Sequence, residues 1–250
     1  KVSIITPSFN SEKTISDNIN SILKQNHEDW EQIIIDNKSS DKTIQLINKF
    51  NNPKINIYSD SDLGIYDALN KGIEKASGEV ISILHSDDFY YEDTVLFNII
   101  DNFRKNRAKI IYGNLVYVGK NNNDKVIRFW KSNKFKTGFF YNGWSPPHPS
   151  FFVKKEVYDK FGNYNINLGN ASDIDLMFRF LEKNKLESLY LNKIFVVMRY
   201  GGASNKNLSS IIKQNISILR ILGIQKNFFK IIFFLINKII NRAMQFFYKP

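Results

Sequence analysis

Apolar and polar positions along the first ninety residues follow two interleaved periods. VSIIT (Val2 to Thr6), EQIIID (Glu31 to Asp36), INIYS (Ile55 to Ser59) and EVISILH (Glu79 to His85) are short apolar runs of strand length. Between them lie segments with apolar residues at helical spacing. These are SEKTISDNINSILKQ (Ser11 to Gln25) with Ser11 as its cap, SSDKTIQLINKF with Ser and Asp at its start, and LGIYDALNKGIEKAS. Strand, helix, strand, helix predicts right-handed crossovers and a mostly parallel α/β sheet with helices on both faces.

From Ile110 the pattern changes. KIIYGNLVYVG and KVIRFWKS flank a polar NNND and predict a hairpin. GWSPPHPSFFVKKEVYDKFG reads as a Pro-rich turn running into a short strand and helix. SDIDLMFRFLEKN predicts a helix capped by Ser172, and LESLYLNKIFVVMRYGGAS further strands ending in a glycine loop. The expected organisation is one domain over residues 1–205, divided near residue 90, and a helical tail over 206–250.

In that tail, Ile211 to Ile224 predicts a first helix and Asn227 to Pro250 a second. At about 100° per residue, Lys230, Asn237, Lys238, Asn241, Arg242, Gln245 and Lys249 share one side of the second, and Phe and Ile cover the rest. A membrane-spanning helix needs roughly 20 apolar residues, and Lys230, Lys238 and Arg242 interrupt this one. Two readings remain: a helix lying in the interface of an anionic membrane, or one packed on the domain or a partner.

Charge supports the first. The net charge is +11, yet all 24 acidic residues lie at or before Glu187, where they meet 25 basic ones. The body is therefore near neutral and the excess belongs to the tail, among Phe and Ile rather than in a base-stacking architecture, which argues against nucleic acid. The absence of cysteine excludes thiolate metal sites and disulfides. KVSIITPSFN has a strand pattern rather than that of a signal peptide, so the expected location is cytoplasmic, peripheral on the inner face of the cell membrane.

In a parallel sheet, ligands bind beyond the carboxyl ends of the strands, where Thr6, Asp36 and the pair Asp87 and Asp88 are expected to converge. No glycine-rich dinucleotide or P-loop fingerprint follows any strand. Adjacent carboxylates repel, so Asp87 and Asp88 require a solvated turn, a shared cation or a raised pKa. Mg²⁺ and Mn²⁺ are commonly held by one or two carboxylates together with substrate phosphates.

SIITPSFN, IIIDNKSSDKT, SDSDLGIYDALNKGIEKASGEVISILHSDD and ASDIDLMFR, in this order, resemble the family 2 inverting glycosyltransferases of the GT-A type, over roughly Lys1 to Ser204. The resemblance is closest to bacterial members that build surface polysaccharides such as O-antigen or capsule. It implies a GT-A fold with a nucleotide-binding half (1–90) and an acceptor half (91–205). Its implied donor is a nucleoside-diphosphate sugar, UDP-linked in many members, and its implied acceptor a glycan or polyprenyl-diphosphate-linked sugar.

By position, the resemblance implies that Thr6, Pro7, Ser8 and Asp36 contact the nucleoside and that Asp62, Gly64, Asn70 and Lys71 line the donor site. Tyr66 and Asp67 read equally as site residues or as parts of a capped helix. Asp88 matches the metal ligand, Mn²⁺ or Mg²⁺, with Asp87 near ribose or metal. His85 stands where many relatives carry an acidic residue or Asn, and reads as a ligand or as a hydrogen-bonding residue. Asp173 matches the general base, with Ser172 where relatives often have Glu. Trp144, His148, Asp175, Arg179 and Arg199 are acceptor or phosphate candidates, and Arg199 to Ser204 a candidate lid. A catalytically inactive binding module is the competing class.

Overall fold

The computed structural model describes residues 1–119, 122–201 and 208–250. Among the described residues there are nine strands: β1 (Val2–Ser8), β2 (Trp30–Asp36), β3 (Ile55–Ser59), β4 (Val80–Ile83), β5 (Phe89–Tyr90), β6 (Ile110–Gly119), β7 (Asn122–Trp130), β8 (Phe151–Lys154) and β9 (Ser188–Arg199). The helices are α1 (Ile15–Leu23), α2 (Thr43–Asn48), α3 (Ile65–Lys75), α4 (Val95–Lys105), α5 (Lys155–Phe161), α6 (Ser172–Phe178), α7 (Leu208–Ile221) and α8 (Phe228–Met244).

The strands join one sheet in the order β3-β2-β1-β4-β8-β6-β9-β5, with β7 pairing β6 off this path. The first four are mutually parallel, as the pattern predicts. Every residue of β1, β2 and β4 is buried, because helices cover both faces, and their apolar runs are accordingly continuous rather than alternating. β8 then enters antiparallel between β4 and β6. It is only four residues long, so it covers the start of β6 and leaves the far half of that strand to β7, in the expected hairpin. One face of the sheet packs Ile5, Ile33, Ile81 and Val153 against α3, α5 and α6; the other packs Ile4, Val80 and Phe152 against α4.

Two expected caps differ. α1 begins at Ile15, not at Ser11, whose hydroxyl is within 2.8 Å of the Ser86 hydroxyl instead. Ser172 is the first helical residue of α6, and its hydroxyl donates backward to the carbonyls of Asn165 (2.8 Å) and Gly169 (2.7 Å). In both cases a tertiary or loop partner takes the hydroxyl away from its own helix.

The tail packs on the body. Ile218, Leu219, Leu222, Ile224 and Phe234 join the same core cluster as α3 and α6. Gln245 accepts from the Arg128 guanidinium, the Phe129 N–H donates to the Gln245 carbonyl (2.8 Å), Asn241 donates to Asn142 O (3.0 Å), and Lys238 Nζ donates to Asn215 of α7 (2.6 Å). Lys238, Asn241 and Gln245 of the polar side therefore face the protein, while Lys230, Arg242 and Lys249 remain exposed. Its apolar side, with Phe229, Ile232, Phe233, Ile236, Ile239, Ile240 and Phe247, is exposed, with Phe229 83% accessible. Among the described residues no helix is long and apolar enough to cross a membrane.

Gly143 makes this docking possible. Its φ of +65° is left-handed, and a Cβ there would lie 2.6 Å from the Lys238 backbone nitrogen. Gly143→Ala is expected to lift α8 from the body, seen as faster amide hydrogen exchange across Phe228–Met244 with the parallel strands unaffected; unchanged exchange in α8 contradicts the packing described.

Candidate active site

The carboxyl ends of β1, β2 and β4 meet in register. Ser8 pairs with Asp36 across β1 and β2, and the Leu84 N–H bonds Ile5 O (3.0 Å). Asp36 is fully buried, and its carboxylate accepts from the Ser39 N–H (2.9 Å), the Ser39 hydroxyl (2.5 Å) and the Ser59 hydroxyl (2.9 Å). Beyond it, the Asp62 N–H donates to Asn37, and the Asp62 carboxylate accepts from the Gly64 N–H (2.8 Å). Burial raises the Asp62 pKa, opposed by that N–H and by Lys71. Lys71 itself is bound to Asp67 and to Ser61 O, both at 2.9 Å, so it braces the loop before α3.

Thr6 lies behind the site rather than in it. Its hydroxyl accepts from Gln32 (3.0 Å), which also donates to Asn18 (2.8 Å); Asn18 in turn donates to the carbonyls of His85 (2.9 Å) and Asp88 (3.0 Å). This buried polar chain fixes the turn after β4 from within. Pro7 is buried opposite Ile35, and the enclosed Ser8 hydroxyl has no hydrogen-bond partner among the described residues.

The turn itself is unusual electrostatically. Asp88 is fully buried, and neither carboxylate oxygen has a hydrogen bond among the described residues. Burial, with the charge of Asp87, pushes its pKa well above the ordinary carboxylate value, and Arg199 opposes the shift. Arg199 reaches over from the end of β9, donates to Asp87 O (2.9 Å), pairs with Asp17 and stacks on Phe89. The rest of the candidate lid, residues 202–204, lies outside the described residues. His85 Nδ1 is likewise unpartnered, and burial lowers the His85 pKa. Its ring lies 6.1 Å from that of His148, whose Nε2 is 2.7 Å from the Tyr164 hydroxyl. Burial and His85 push the His148 pKa down to about 3, so it is neutral.

The second half of the site is the first turn of α6. Part of Asp173 reaches the surface, but its carboxyl is enclosed. Burial pushes its pKa up to about 6, against the Ile174 N–H (2.8 Å), Lys238 and the Tyr66 hydroxyl, which favour the carboxylate. Asp175 is turned elsewhere: it pairs with Arg179 (2.8 Å), which donates to Phe161 O (2.6 Å) and Asn163 O (2.7 Å) and so locks the loop leading to α6. Asn70 holds the same loop from the other side, donating to Tyr164 O (2.9 Å) and accepting from its N–H (3.0 Å). Trp144 packs against Phe139 and Tyr112, with its buried indole N–H unpartnered. The Tyr117 phenol on β6 lies within electrostatic range of Arg128, Asp88, Arg242 and Asp173.

A family model described as glycosyl transferase family 2 matches residues 3–161. The chain belongs to this family. A "PGL/p-HBAD biosynthesis glycosyltransferase" of Mycobacterium bovis is 24% identical over 97% of this chain and 93% of its own length. The Escherichia coli "UDP-Glc:alpha-D-GlcNAc-diphosphoundecaprenol beta-1,3-glucosyltransferase WfgD" is 36% identical over 51% of this chain and 50% of its own. Among solved structures, S. aureus TarS 1-349 in complex with UDP-GlcNAc superposes with a TM-score of 0.66 at 19% identity, covering 88% of this chain and 66% of that one. The mannosyltransferase PcManGT from Pyrobaculum calidifontis, in complex with GDP-Man and Mn²⁺, gives 0.61 at 16% identity over 89% of this chain and 63% of that one. The GT-A fold is thereby established.

For a family 2 glycosyltransferase, the oxygens of Asp88 and Nδ1 of His85 are the groups in this chain that fit a divalent cation, since they are buried without a hydrogen bond. No cluster of three His, Cys, Asp or Glu side chains that could hold a metal exists among the described residues. Sequence reasoning missed Asn18, Tyr164, Tyr117 and the approach of Lys238 to Asp173. Only the last left a signal, a lysine interrupting an apolar helix. Titration of the Asp173 carboxyl, followed by NMR, is expected to centre near 6 rather than 3.8. Tyr66→Phe removes a donor to the charged form and is expected to move that midpoint higher; a lower midpoint refutes the arrangement.

Proposed function

We propose that this chain transfers a sugar from a nucleoside-diphosphate sugar, UDP-linked, to a lipid-carried glycan in surface polysaccharide synthesis, with inversion. The observation that carries the reading is that the chain encloses two distinct carboxylates: Asp88, whose oxygens have no hydrogen bond and suit a cation, and Asp173, with a raised pKa. WfgD acts, by its name, from UDP-Glc on a diphosphoundecaprenol-linked sugar, and TarS was crystallised with UDP-GlcNAc.

In this reading Asp36, Asp62 and the Gly64 turn form the nucleoside side, and Ser8 supplies a free hydroxyl. Asp88, with Asp87 beside it and His85 as the further donor, holds Mn²⁺ or Mg²⁺. When bound, the cation neutralises charge on the departing diphosphate. Asp173 accepts the proton of the attacking hydroxyl, and a pKa near 6 leaves it ionised at neutral pH yet more basic than an ordinary aspartate. Trp144 and neutral His148 line the acceptor side, while Asn70, Lys71, Asp175 and Arg179 position the loops that carry the site. Arg199 secures the Asp87 turn.

The outward apolar face of α8 seats the enzyme on the cytoplasmic leaflet of the cell membrane. Exposed Lys226, Lys230 and Lys249 flank that face, and no acidic residue follows Glu187, so anionic lipid is the complementary surface.

Asp173→Asn is expected to slow transfer by about a hundredfold to ten-thousandfold, the range for loss of a general base, with UDP binding intact. In the same assay Asp88→Asn should abolish the dependence of UDP binding on Mn²⁺; wild-type turnover in the first variant, or persistent metal dependence in the second, sinks the respective role. Flotation with phosphatidylglycerol vesicles is expected for the wild type and reduced at least severalfold in Ile236→Glu. Equal flotation of both removes α8 from membrane binding.

A further inference from the structure

The polar side of α8 faces the reacting half of the cleft, and the base at residue 173 does not account for what it brings there. Two contacts hold Lys238, and a third beside it ties α7 to the loop before Asp173. The Lys238 backbone abuts Gly143, next to Trp144; its ammonium donates to Asn215 (2.6 Å); and the neighbouring Gln214 of α7 donates to Asn170 O (2.6 Å), three residues before Asp173. The ammonium also lies over the Phe234 ring and within electrostatic range of Asp173 and Arg242. One hydrogen bond leaves two of the three ammonium donors unused among the described contacts. A stability role alone explains this poorly, because an Ile or Leu would pack against Phe234 and Gly143 without the cost of desolvating a charge.

We propose that Lys238, with Arg242 one turn further on, forms a cationic wall of the acceptor site and binds a phosphate carried by the acceptor lipid. The inference rests on the transfer reaction proposed above and deepens it by assigning residues of this chain to the acceptor's phosphate. A lipid diphosphate fits the geometry of α8. The opposite face of the helix is apolar and exposed, so a lipid embedded beside that face would present its phosphates at the level of Lys238 and its sugar toward Asp173. Lys238 is thus an acceptor-binding residue, and Asn215 and Gly143 position it.

The test uses the full chain and farnesyl diphosphate as probe, in EDTA so that the cation-dependent donor site does not compete. Wild-type protein is expected to bind farnesyl diphosphate more tightly than farnesol. Lys238→Met should weaken the diphosphate at least tenfold and leave farnesol unchanged, and Lys238→Arg should restore most of the loss. Equal diphosphate affinity in wild type and Lys238→Met, or a parallel loss of farnesol binding, overturns the proposal. Competition by dihexanoylphosphatidylglycerol at equal concentration would assign the site to membrane headgroups and overturn it as well. UDP binding with Mn²⁺, measured separately, reports on the transfer reaction, so the two readings fail independently.

Discussion

A carboxylate enclosed by protein with neither oxygen hydrogen-bonded keeps its charge only when a cation meets it, and four parts of the chain hold Asp88 in that condition. Asn18 of α1 binds the carbonyls on either side of the turn, β1 anchors its start through Ile5, and Arg199 from β9 holds Asp87 from the front. At the start of the turn the His85 ring lies 6.1 Å from that of neutral His148. The polar network satisfies every backbone group of the turn that it touches and leaves the carboxylate itself unsatisfied. Local order and local electrostatic strain are thus built by the same contacts, an arrangement suited to a ligand that arrives with its own oxygens.

The second carboxylate is treated differently. Asp173 retains the Ile174 N–H, the Tyr66 hydroxyl and the field of Lys238, which together offset part of its burial and leave its pKa near 6. Its placement depends on the segment from Phe161 to Ala171, a loop followed by a 3-10 helix over Ile166–Ala171. Arg179 and Asp175 tie that loop to α6, and Asn70 ties it to α3 in the nucleotide half. Residues that resemble site residues by position therefore serve to hold the two halves at a fixed separation. The antiparallel entry of β8 between β4 and β6 has the same consequence at the level of the sheet, since it joins the parallel half to the mixed half without a hinge.

The C-terminal helices extend this logic to the surface. An amphipathic helix in water ordinarily buries its apolar face on the protein. α8 does the reverse, because Gln245, Asn241 and Lys238 find specific partners in Arg128, Asn142 and Asn215, while Phe234 alone of its aromatic residues is buried. The apolar face left outside is the feature on which the membrane contact proposed above rests.

The strands and helices of the first ninety residues were legible in the sequence because periodicity and turn chemistry are local, and so was the placement of Asp36, Asp87 and Asp88 at strand ends. The ordered motifs likewise identified the family and singled out Asp173. What the chain alone did not disclose are pairings between distant segments: Asn70 with Tyr164, Arg199 with Asp17, His85 beside His148, and Lys238 near Asp173. These separations of 63 to 182 residues carry no periodic signature. Nor could helical spacing tell which face of α8 turns inward, since an amphipathic pattern defines two faces and only packing against the body selects between them.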